Sequence, residues 1–172
     1  MACSITISGR AFPCKTGIAG IKRIYVKTFV DGDWGTPVAG ESAAATAVTY
    51  YEFEPTRNAA SLVATPTVSI ENGSVYYAQV LDALNFPVLG AADSAELADL
   101  VKSRLSIIVQ DANDNYLLMG RTHGVEATGG AMQTGAAAGD LHGWTLQFTA
   151  NEGEPPAFID SADANLTLTP AS

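Results

Sequence analysis

Cysteine and histidine are almost absent from this chain, with two of each in 172 residues. Cys3 and Cys14 lie close together without a neighbouring histidine, so they cannot form a structural zinc site, which needs four ligands. No basic region followed by an apolar stretch opens the sequence at Met1-Ala2-Cys3-Ser4-Ile5-Thr6, so no secretory signal is visible. The chain is therefore expected to fold in the cytoplasm of the cell that makes it, with both thiols reduced. An oxidising environment would allow one small disulfide clamp between them. No apolar run is long enough to span a bilayer, and no membrane partner is expected.

The scarcity extends to catalytic chemistry. His123 and His142 could join Asp140 in a thin metal trio, but two exposed or capping imidazoles are the plainer reading. No serine sits in a Gly-x-Ser-x-Gly elbow. The glycine-rich stretch 129–139 lacks the Gly-Lys-Ser/Thr ending of a phosphate loop. Asp111, Asn113 and Asn115 imitate the start of a calcium loop, yet Tyr116 and Thr122 stand where an EF-hand needs glycine and glutamate. Glu152 and Glu154 read as solvated carboxylates. Asn72-Gly73-Ser74 and Asn165-Leu166-Thr167 match the glycosylation pattern, which means little without a secretion signal. No catalytic residue, metal or cofactor is expected.

What is plentiful is negative charge and β-forming sequence. The net charge is −9, unevenly placed. Before Asp31 stand Arg10, Lys15, Lys22, Arg23 and Lys27 with no acid; from Asp31 onward stand all 18 acids and only four basic residues. A basic end joined to an acidic body suits head-to-tail assembly, while chance clustering on a solvated surface is the bland alternative. An acidic body argues against a grip on nucleic acid, which needs a basic patch.

Strands dominate the local patterns. The stretch 67–81 reads as a hairpin turning at Asn72-Gly73, a pair that accepts the positive φ angles of a type I′ turn. A second hairpin joins 105–110 to 116–120 through a polar turn; its arms are apolar on both faces and belong in the centre of a covered sheet. Trp144, Leu146 and Phe148 alternate with Thr145, Gln147 and Thr149, as a half-buried strand requires. Further strands are expected at 21–30 and 48–54, with a final strand or loose tail within 161–172. One helix is expected at 94–103, with Asp93 and Glu96 at capping-box spacing and an apolar stripe of Leu97, Leu100 and Val101. Residues 31–46 and 129–139 read as long loops, the kind that order against neighbours in an assembly. The fold class is mostly β: a single β-sandwich or barrel-like domain over 1–160 with one short helix packed outside.

The order of these motifs resembles a known family. Ile70-Glu71-Asn72-Gly73-Ser74-Val75-Tyr76-Tyr77 comes first, then the helix, then Asp114-Asn115-Tyr116-Leu117-Leu118-Met119-Gly120. Gly143-Trp144-Thr145-Leu146-Gln147-Phe148 and Glu154-Pro155-Pro156-Ala157 follow. Over roughly 1–30 and 67–158 the chain is similar to structural proteins of tailed bacteriophages, especially tail-tube proteins in phages of the Bacteroidetes type. The resemblance implies a virion protein that forms stacked hexameric rings, meets other tail or head–tail proteins, and lets DNA pass without specific binding. Arg10, Lys15, Lys22, Arg23, Lys27, Asp31, Asp33 and Trp34 are then expected at the assembly interface, with 31–46 as an arm between rings. A capsid decoration, head–tail joining or fibre-base protein is one alternative. A carbohydrate-binding β-domain is another, with the cluster Tyr50-Tyr51-Glu52-Phe53 and the pair Tyr76-Tyr77 lining a sugar-binding face and binding dependent on Tyr50, Tyr51 or Trp34.

Overall fold

The structure, a computed structural model, describes residues 9, 17–56, 59–87 and 90–171. It is mostly β, as expected, with two sheets and one short helix. The strands are β1 (Ile21–Thr28), β2 (Val48–Phe53), β3 (Ser61–Ser69), β4 (Ser74–Pro87), β5 (Leu105–Asp111), β6 (Tyr116–Met119), β7 (Glu126–Gln133), β8 (Gly143–Glu152), β9 (Ala157–Ile159) and β10 (Leu166–Thr169). The helix α1 (Ala91–Lys102) lies between β4 and β5. A six-stranded sheet runs β10-β2-β1-β5-β6-β9, and a four-stranded sheet runs β3-β4-β8-β7.

The doubly apolar reading of β5 has a direct structural cause. Ile107 and Val109 point into a core shared with Leu81, Leu84, Leu146 and Phe148 of the other sheet. Ile108, one step out of phase, points to the opposite face and packs with Tyr25, Tyr50 and Leu118. That second face is closed by residues 31–46. This segment is not a free arm, as the sequence suggested, but a small folded-back hairpin. Trp34 bridges Ala44, the Gly35 amide donates to the Ala43 carbonyl at 2.9 Å, and Val38 and Glu41 exchange both backbone hydrogen bonds. The turn between them, Ala39-Gly40, has φ of 55° and 90°, the two positive angles of a type I′ turn. Phe158 of β9 donates to the Gly40 carbonyl and accepts from the Ser42 amide, so this hairpin also covers the β9 edge.

The Asn72-Gly73 hairpin exists with a different turn. Ser69 pairs with Ser74, leaving four residues in the connection, and Gly73 alone has positive φ. Because β8 accompanies β4 only from Tyr77 onward, the outer third of the β3–β4 ribbon projects without a third strand. Pro66 is tolerated because β3 is an edge strand.

Three more expectations are corrected. The helix starts at Ala91 after Gly90, which offers no side-chain cap, so the Asp93–Glu96 capping box does not form. Asp93 instead sits in the first turn, where a carboxylate meets the positive end of the helix dipole. Leu97 is buried and Leu100 packs on the core, but Val101 is largely exposed. Much of the expected 129–139 loop is strand, because Gly129 and Gly130 belong to β7. The lack of a side chain is what lets β7 approach: a Cβ on Gly130 would stand 2.5 Å from the Thr145 carbonyl oxygen. Gly143 is tighter still, with its missing Cβ 2.1 Å from the Phe86 carbonyl oxygen. Gly143→Ala is expected to force β4 and β8 apart at that end and to cost about 1–3 kcal/mol, read as a lower denaturation midpoint. An unchanged midpoint would contradict the packing described. The C-terminal segment carries a final strand, β10, parallel to β2.

Candidate assembly surface

The sequence placed the assembly interface on the basic N-terminal segment. Arg10 and Lys15, like Cys3 and Cys14, lie outside the described residues. The other three cations are engaged within the chain. Lys22 meets Asp114 at 2.7 Å, Arg23 meets Glu52 at 3.0 Å and Glu54 at 3.3 Å, and Lys27 pairs with Asp33. Lys22 holds the Asp114 carboxyl below the usual carboxylate range. Asp31 stays exposed. Asp33 and Trp34 are buried, Trp34 to 7% exposure, so neither presents its side chain to a neighbour. Trp34 Nε1 donates to the Tyr50 hydroxyl at 2.8 Å, and that hydroxyl lies 2.8 Å from Ser106 Oγ. Burial pushes the Tyr50 phenol up to about 12, against the opposing pull of the Ser106 and Trp34 hydrogen bonds. With Trp34 and Tyr50 inside, the aromatic platform expected for sugar keeps Tyr51 and Tyr76 at the surface.

The remaining motifs resolve into local structure. Asp111 accepts from the Asn113 and Asn115 amides at 2.8 Å each and from Asn115 Nδ2 at 2.8 Å, closing the β5–β6 turn on itself. Burial raises the Asp111 carboxyl, but these donors outweigh it and leave it below its ordinary value. Asp140 accepts from the Ala136 and Ala137 amides, which lower it. Among the described residues, no group of three or more His, Cys, Asp and Glu could hold a metal. Glu152 is a surprise: at 4% exposure it is buried, not solvated. Its carboxylate accepts from the Thr122 and His123 amides at 2.9 and 2.8 Å, and the His123 ring lies 3.3 Å away. Nothing in the sequence announces this, because the donors come from a loop 29 and 30 residues away.

A different surface stands out, the outer face of the four-stranded sheet. Register assigns its residues. Val63 and Thr65 of β3 oppose Val80 and Ala78 of β4; Thr149 and Asn151 of β8 oppose the same two; Glu126 and Ala131 of β7 oppose Thr149 and Thr145. Gln147 lies between, opposite Gly129. The face is therefore made mainly of hydroxyl, amide and small apolar groups. The strands β3, β4, β7 and β8 contain no lysine, arginine or histidine at any position. Their charges are Asp82, Glu126 and the inward-facing Glu152. Each described lysine and arginine elsewhere is ion-paired, including Lys102 with Asp99, Arg104 with Glu126 and Arg121 with Glu154.

The same sheet has two strands paired on one side only, β3 and β7. A groove of about 650 Å³ is lined by Val26 of β1, Tyr51 and Phe53 of β2, and Glu96 and Leu100 of α1. Comparison with protein-family models, with curated proteins and with solved structures finds no match.

Proposed function

We propose that this chain is a structural subunit of a tailed-phage particle, a tail-tube protein whose rings stack around a channel that conducts DNA. The observation that carries this reading is the outer face of the β3-β4-β8-β7 sheet, whose strands contribute no lysine, arginine or histidine and where the one cation at its margin, Arg104, is already paired with Glu126. DNA binds non-specifically by trading condensed counterions for lysine and arginine. A wall of threonine, glutamine and asparagine with a few carboxylates has nothing to trade, so a phosphate backbone slides past it.

The sheet's edges support a ring. Each pairing in the four-stranded sheet is antiparallel, so β3 and β7 run in opposite directions. The β7 of one copy laid beside the β3 of the next continues the antiparallel alternation through backbone hydrogen bonds on either side of Pro66, which has no N–H to donate. This contact is head-to-tail, and such contacts close into rings when the rotation per subunit allows. It would also cover two strand edges that otherwise invite aggregation. The activity is assembly, without turnover.

Light scattering over a concentration series tests this reading. Mass rising from one chain to a fixed multiple, then to larger stacks, is expected. A mass of one chain at every concentration, with no uptake into phage particles, would overturn it.

A further inference from the structure

We infer that Asn72 is a site of spontaneous covalent modification, where the folded chain converts asparagine into aspartate and isoaspartate at the exposed tip of the β3–β4 hairpin. The Gly73 backbone nitrogen attacks Asn72 Cγ. A new N–Cγ bond forms, the Cγ–Nδ2 bond breaks, and ammonia leaves with the proton taken from the Gly73 amide. The resulting succinimide adds water at either carbonyl and reopens to aspartate or to isoaspartate. No enzyme, metal or oxidant is needed.

Several observations single out this asparagine. Gly73 offers the attacking nitrogen no side-chain hindrance and the freest backbone of any residue. Its amide makes no hydrogen bond among the described residues, and neither does the Asn72 side chain; only the Asn72 amide is engaged, 3.4 Å from Ser69 Oγ. Asn72 is exposed, and its neighbour Ile70 is 92% exposed. The ribbon there lacks a third strand, so local opening is cheap.

The other described asparagines are placed differently. Each is followed by a larger residue, and most have their amides held. Asn113 and Asn115 donate to the Ile18 carbonyl and to Asp111, Asn165 donates to the Ala44 carbonyl, and Asn85 accepts from Thr145. Asn151 lies within β8, ahead of Glu152.

The product places a second carboxylate beside Glu71, and isoaspartate also lengthens the backbone of a four-residue turn. Fresh and aged chains therefore differ in charge and shape at the hairpin tip, whether or not the chain forms rings.

The test is incubation of the purified full chain at mildly alkaline pH, sampled over days. Anion exchange follows charge, and peptide mapping with isoaspartyl methyltransferase labelling locates the product. A growing acidic species whose isoaspartate maps to residue 72 first is expected, as is loss of that species in Asn72→Gln. Retention of the amide at Asn72 while another asparagine converts faster would overturn the inference. So would conversion of the urea-unfolded chain alone, because the folded turn would then protect the site.

Discussion

Replacing Gln147 and Thr149 together by lysine is expected to give the proposed channel face an affinity for DNA that the unmodified face lacks. Both side chains lie on the outer face of β8 and are partly exposed, so each substitution should leave stability within about 0.5 kcal/mol. A single chain gains only two cations, and its affinity stays weak. In a ring, the gain is repeated in every copy around one channel. With six to ten phosphates contacted, the affinity would fall by about 10³–10⁵ between 50 and 200 mM salt. Fluorescence anisotropy with a short duplex at several salt concentrations reads this directly. The unmodified protein should show no salt-dependent binding, and the double variant a steep dependence once assembled. Equal binding by both proteins would mean that this face does not meet DNA.

The second large effect is on stability. Trp34→Ala removes the side chain that closes the outer face of the six-stranded sheet. A buried aromatic truncated to alanine costs about 3–5 kcal/mol. The loss should loosen the 33–45 hairpin and uncover Tyr25, Ile108 and Leu118, which pack in the same cluster. Chemical denaturation should show a lower midpoint, and hydrogen exchange should show lost protection at the Gly35 and Ala45 amides. Tyr50→Phe is the milder control: it leaves the buried Trp34 N–H without its acceptor and costs about 1–3 kcal/mol. If Trp34→Ala cost less than the control, the 31–46 segment would be the loose arm that its composition suggested. Deleting the segment would then spare the monomer, whereas here deletion strips one of the two cores.

These two cases show what the chain makes legible. The β5 strand announced two covered faces because Ile107, Ile108 and Val109 are apolar in succession, which puts an apolar side chain on each face. Trp144 to Phe148 announced one covered face by strict alternation. Both signals are local, and side-chain period transmits them faithfully. Glycine is less readable. It marks loops, but it also marks backbones that come close, and Gly129 and Gly130 lie in a strand for the second reason. Ala39-Gly40 forms the tight turn that Asn72-Gly73 was expected to form, since pairing register decides which glycine must bend. Charge was misleading in another way. A sequence run of cations looks available to a neighbour, but Lys22, Arg23 and Lys27 find acids on strands and turns that only folding brings beside them. The cation-free sheet was hidden for the same reason, because its four strands are scattered between residues 61 and 152.

The central claim is that the β3-β4-β8-β7 sheet lines a channel. Electron microscopy of the assembled protein, at a resolution that traces strands, tests it most directly. The account predicts hollow rings with this sheet on the inner wall and β7 of each copy beside β3 of the next. Rings with the six-stranded sheet facing the lumen, or solid particles without a channel, would contradict it.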